Sequence, residues 1–80
     1  MARTPVYMPK FGMTMTEALI VEWHFKPGDQ ISAGDVLVTI ETEKVNEDLE
    51  ASVSGTLVEL LYPADEEVPV GEIIAYIDAA

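Results

Sequence analysis

Eighty residues confine the chain to one domain that removes only roughly 60–65% of its unfolded surface from water, so the core must be compact and regular. With no cysteine, neither a disulfide framework nor a thiolate metal site can support it. Fifteen Asp and Glu against four Lys and Arg, a net charge of −11, argue against nucleic acid and against anionic membranes as partners.

No apolar run approaches the roughly 20 residues that cross a bilayer, and the N-terminus lacks the charged-then-apolar pattern of a secretory signal, so a cytoplasmic protein is expected. Along the chain, short runs rich in Val, Ile, Leu and aromatics alternate with turn signals spaced too closely for long helices. They predict strands near residues 6–9, 18–25, 30–32, 36–42, 45–51, 55–61, 67–69 and 73–78. Short strands at regular spacing favour an all-β sandwich or flattened barrel.

An internal repeat sharpens that expectation. Residues 20–41 overlay residues 57–78 at an offset of 37 without a gap. Val21 falls on Val58, Glu22 on Glu59, Gly34 on Gly71 and Ile40 on Ile77, while Trp23 meets Leu60, Phe25 meets Tyr62 and Ile31 meets Val68. The punctuation agrees too: Pro27-Gly28-Asp29 corresponds to Pro63-Ala64-Asp65, and Gly34-Asp35 to Gly71-Glu72. Two such halves would form similar four-stranded antiparallel sheets related by a pseudo-two-fold axis, each burying a face the other cannot bury alone. The expected core is Trp23, Ile31, Val38, Ile40, Leu49, Leu57, Val68, Ile74 and Ile77.

The halves meet at Glu43-Lys44, a polar pair between two predicted strands, which reads as a hairpin tip with an exposed lysine. Turn chemistry by itself assigns such a lysine to solubility or edge protection. The surrounding residues say more. Met8-Pro9-Lys10-Phe11-Gly12-Met13-Thr14-Met15-Thr16-Glu17, Ile20-Val21-Glu22-Trp23, Lys26-Pro27-Gly28-Asp29 and Ala33-Gly34-Asp35-Val36-Leu37 lead to Glu41-Thr42-Glu43-Lys44-Val45. In this order they resemble the lipoyl domains of 2-oxo acid dehydrogenase complexes. There the last motif usually reads Glu-Thr-Asp-Lys-Ala and its lysine carries the cofactor. Glu43 and Val45 depart mildly, Ala18 replaces a usual glycine, and Asn46-Glu47-Asp48 is more acidic than the usual strand. Alternation puts Glu47 on the face of Val45, Leu49 and Ala51, where it interrupts an apolar stripe close to the tip.

The resemblance implies a single lipoyl-type domain over residues 4–79, a barrel-sandwich hybrid that performs no catalysis itself. It implies lipoic acid in amide linkage to Lys44, with Glu41, Thr42, Glu43 and Val45 as recognition residues around it. A lipoate ligase or a lipoyl or octanoyl transferase would install the group. The arm would then visit a thiamine-diphosphate-dependent decarboxylase, an acyltransferase catalytic domain and dihydrolipoamide dehydrogenase. The loop from Phe11 to Thr16 leans toward pyruvate- and acetoin-type complexes.

Biotin-carrier domains share this fold, but their lysine sits between two methionines, absent from Thr42-Glu43-Lys44-Val45. Unmodified lipoyl-like interaction modules are the third reading, against which the Glu-Thr-Glu-Lys run argues. Glycine-cleavage carriers, which are longer, rank below the dehydrogenase complexes. His24 has no cysteine or serine motif with which to build a nucleophile, and reads as an ordinary strand position. Trp23 reads as core or half-buried sheet, and Met13 and Met15 as packing across the barrel end. No Asp-x-Asp-x-Asp-Gly loop accompanies the carboxylates, so no metal is expected.

Overall fold

Alternating apolar residues between Gly, Pro and Asp turns form eight strands in the computed structural model, which describes residues 2–10, 16–42 and 45–79. These are β1 (Ala2–Tyr7), β2 (Glu17–Trp23), β3 (Gln30–Ile31), β4 (Val36–Glu41), β5 (Asn46–Glu50), β6 (Gly55–Leu60), β7 (Glu67–Pro69) and β8 (Ile73–Ala79). They make two antiparallel four-stranded sheets, one in the order β1-β8-β6-β3 and the other β5-β4-β2-β7. Each sheet packs one face on a shared core and turns the other to water.

The sequence repeat is also a repeat of register. In β2 and β4, Leu19 opposes Glu41, Ile20 opposes Ile40, Glu22 opposes Thr39 and Trp23 opposes Val38. Adding 37 to every number gives the pairs of β6 and β8, including the one-residue slip after Ile20 that recurs after Leu57. The crossings between sheets repeat likewise: Gly28 N–H donates to Leu57 C=O and Asp65 N–H to Ile20 C=O, both at 2.7 Å. Gly28 (φ 99°) and Asp65 (φ 72°) occupy the same left-handed turn position. The edge strands correspond as well, β5 to β1, with Leu49 opposite Val38 where Val6 is opposite Ala75.

Ile31, Val38, Ile40, Leu57, Val68, Ile74 and Ile77 are buried as expected, while Trp23 and Leu49 are half-buried against them. Trp23 keeps an edge outward because its indole N–H donates to the carbonyl of Tyr62 at 2.9 Å. Met8, Ala18, Ile20, Leu37, Ala51 and Ala75 complete the core. Leu37 and Val38 are buried in succession, as are Ile74 and Ala75, because an extra residue in β4 and in β8 interrupts the period-two alternation. β1 starts earlier than residues 6–9. It tolerates Pro5 because it is an edge strand, pairing with β8 alone.

Candidate functional site

β4 and β5 pair antiparallel out to Glu41 opposite Asn46, and the hairpin is then closed by Thr42 and Val45. Thr42 N–H donates to Val45 C=O at 2.9 Å, and the Thr42 hydroxyl also reaches that carbonyl at 3.0 Å. Val45 N–H in turn donates to Thr42 Oγ1 at 3.3 Å. One threonine thus ties both ends of a segment whose two intervening residues, Glu43 and Lys44, lie outside the described residues. Of the expected recognition residues, Glu41, Thr42 and Val45 are gathered at this end of the sheet. Glu41 is exposed, Thr42 half-buried, and Val45 is a solvent-facing apolar side chain at 53% exposure.

Motif reasoning named Thr42 without its clamping role. The available signal was a hydroxyl residue placed to bond backbone three positions on, a habit of Ser and Thr at turns. Glu47 is half-buried opposite the buried Ile40, on the strand face that alternation assigned to it but nearer the core than the place beyond it that was expected.

The outer face of this sheet is strongly acidic. Glu17, Glu22, Glu41, Asp48, Glu50 and Glu67 are all exposed on it. Leu19 opposes both Glu41 and Glu67, so carboxylates flank it on either side. A hydrogen bond with Glu17, reinforced by its charge, holds the Glu67 carboxyl above the usual glutamate range. His24 Nε2 lies 2.8 Å from the Thr39 hydroxyl, which donates to Asp48 at 3.1 Å, an exposed polar line from the bend after β2 across β4 to β5. His24 lies one residue past the end of β2, in a bend rather than at the strand position expected for it. Met13 and Met15 lie outside the described residues.

A covalently tethered group asks little of such a site: an amine free to acylate, a rigid base and no roof. Glu41, Val45 and Asn46, which flank Glu43-Lys44, are exposed, and the Thr42 clamp ties the strand ends from which they spring. The residues present fit an attached arm. Among the described residues no helix is long and apolar enough to cross a membrane, and no group of three His, Asp or Glu side chains is placed to hold a metal ion.

Comparison with known proteins agrees with this geometry. Residues 4–77 match the Biotin_lipoyl family, described as "Biotin-requiring enzyme". The chain is 43% identical over 67 residues to the dihydrolipoyllysine-residue acetyltransferase component of pyruvate dehydrogenase complex of Acholeplasma laidlawii, covering 84% of this chain and 12% of that protein. It is 39% identical over 75 residues to the corresponding component of the acetoin cleaving system of Bacillus subtilis, covering 94% and 19%. With the succinyltransferase component of the 2-oxoglutarate dehydrogenase complex of the same organism it shares 39% over 72 residues, covering 90% and 17%. It thus spans less than a fifth of the length of these relatives. The solved lipoyl domain of the Azotobacter vinelandii 2-oxoglutarate dehydrogenase complex superposes with a TM-score of 0.78 at 25% identity, covering 95% of this chain and 98% of that one. In fold and in sequence, the chain belongs to the biotin/lipoyl domain family.

Proposed function

We propose that residues 4–79 form a lipoyl carrier domain, with lipoic acid joined through an amide to Lys44, serving a pyruvate- or acetoin-type 2-oxo acid dehydrogenase complex. The observation that carries this reading is the clamp between Thr42 and Val45, which brackets Glu43-Lys44 at the open end of the β4–β5 hairpin. The Glu41-Thr42-Glu43-Lys44-Val45 motif and the names of the acetyltransferase relatives support it. When bound, lipoate supplies a dithiolane that accepts an acyl group together with two electrons and later releases both.

The chain's own part is mechanical. In this reading Lys44, bracketed in sequence by the clamped Thr42 and Val45, is the residue acylated by a ligase or a lipoyl or octanoyl transferase. The exposed Glu41 and Val45 give those enzymes a surface to read, together with Glu43 of the same motif. The partners that follow are the decarboxylase, the acyltransferase domain and dihydrolipoamide dehydrogenase of the complex. Tethering to the domain replaces diffusion between their active sites by an effective concentration of order millimolar. The domain performs no bond-making of its own.

Incubation with lipoate ligase, lipoate and ATP, and in parallel with biotin ligase, biotin and ATP, tests the reading by intact mass. Stoichiometric lipoylation with little biotinylation is expected. A folded chain that takes biotin and refuses lipoate would replace the lipoyl reading by biotin carriage. One that takes neither would leave an unmodified interaction module.

A further inference from the structure

The pseudo-two-fold axis makes each sheet a control for the other. Because their backbones pair in the same register, any outward side chain that differs between them is not demanded by the fold. On the β5-β4-β2-β7 sheet the outward positions carry Glu50, His24 and Thr39. The equivalent positions of the other sheet carry Tyr7, Leu61 and Tyr76. Tyr7 is 53% and Leu61 40% exposed, a cost in exposed apolar surface that their polar counterparts avoid. With Tyr62 and Ile73 they line an open groove of about 490 Å³.

The charges at this groove have one sign free. Glu72 lines it and lies 3.4 Å from the Tyr62 hydroxyl, whose pKa is raised by desolvation and by the carboxylates of Glu72 and Glu66. The cation on this face, Arg3, sits with its guanidinium 5.6 Å above the Tyr76 ring and 4.0 Å from Glu59. That arrangement displays within the molecule what the surface accepts: a guanidinium over an aromatic face beside a carboxylate. The Tyr7–Ile73 end of the groove is linked through the backbone to the start of β2 in the other sheet. Tyr7 pairs with Ile73, the preceding turn bonds through Val70 N–H to Thr16 C=O, and Thr16 leads into β2 beside the row that contains Glu41.

We infer that the groove lined by Tyr7, Leu61, Tyr62, Ile73 and Tyr76 is a docking site for a cationic, apolar peptide segment of a partner protein, whose aliphatic side chains fill it while an Arg or Lys meets Glu72 and the tyrosine rings. Such a contact holds a partner on the outer face of the β1-β8-β6-β3 sheet without using the attached arm. It is independent of whether Lys44 is modified, and is tested on the unmodified chain.

Backbone amide NMR shifts are followed while a short capped peptide of alternating Leu and Arg is added. A Ser/Arg peptide of equal charge and a Leu/Glu peptide serve as comparisons. Saturable shifts concentrated on the groove residues are expected, with affinity about tenfold weaker for the Ser/Arg peptide and for Tyr7→Ser/Leu61→Ser, and no binding of Leu/Glu. Both substituted side chains are exposed, so the variant keeps its fold, checked by its thermal midpoint. Glu72→Gln weakens the Leu/Arg peptide as well. Shifts spread over Glu22, Glu41 and Asp48 and equal for both cationic peptides would reduce the effect to bulk charge and overturn the inference. So would groove shifts that depend on protein concentration without peptide, which would identify a second copy as the occupant, or no shift at millimolar peptide.

Discussion

At Gly55 a single missing carbon decides how two strands meet. A Cβ built there would strike the Asp78 carbonyl oxygen and the Ala79 Cα, both backbone atoms that cannot step aside, whereas the equivalent position in the other sheet holds the buried Ala18. The symmetry of register therefore stops short of side-chain volume at this point. Gly55→Ala is expected to cost about 1–3 kcal/mol by urea unfolding, in line with other overpacked sites. A second residue-scale expectation concerns charge. Because Glu17 raises the Glu67 pKa, the protonated form of Glu67 is the one the fold favours. Its contribution is complete below the unfolded glutamate pKa and disappears as pH rises through the raised value. Carboxyl NMR titration should place the Glu67 midpoint above that of an ordinary glutamate, and Glu17→Gln should bring it down. An unchanged midpoint would mean that the two carboxyls do not interact in solution.

The hairpin of β4 and β5 is the element on which the proposed function depends, and Thr42 is its fastener. Thr42→Val keeps the shape and the β-branched preference but loses the hydroxyl that serves both polar groups of Val45. Hydrogen exchange at the Val45 amide should quicken several-fold with a stability loss of about 0.5–1.5 kcal/mol, and Thr42→Ser should restore most of both. Equal exchange in all three proteins would show that the backbone alone closes the hairpin. The strands themselves were legible because Pro, Gly and Asp punctuate most of the turns and the two halves punctuate alike. What could not be read was the extra residue in β4 and in β8. Strict alternation buries every second side chain, so Leu37 and Ala75 were missed while their neighbours Val38 and Ile74 were found. Nor did composition reveal that β1 would take Pro5 into an edge, since that depends on which strand lies beside it.

Across the whole molecule, duplicated register and divergent surface divide the labour. The core and crossings need both halves alike, and there the correspondence holds through Ile20 and Leu57, Ile40 and Ile77, and Ile31 and Val68. The outer faces are free to differ: one is a field of carboxylates beside the hairpin, the other an aromatic groove. The candidate site was legible from a motif rather than from geometry, because an exposed lysine on a turn has no physical signature that separates a carrier from a solubility residue. In the proposed function its chemistry is decided by the enzyme that modifies it. The most direct test is peptide mass spectrometry of the chain after co-expression with lipoate ligase and lipoate, beside Lys44→Arg. Lipoyl mass is expected on the peptide containing Lys44 and on no other, and is expected to vanish in the variant. Lipoyl mass on Lys10 or Lys26, or undiminished modification of Lys44→Arg, would contradict the assignment of this hairpin as the carrier.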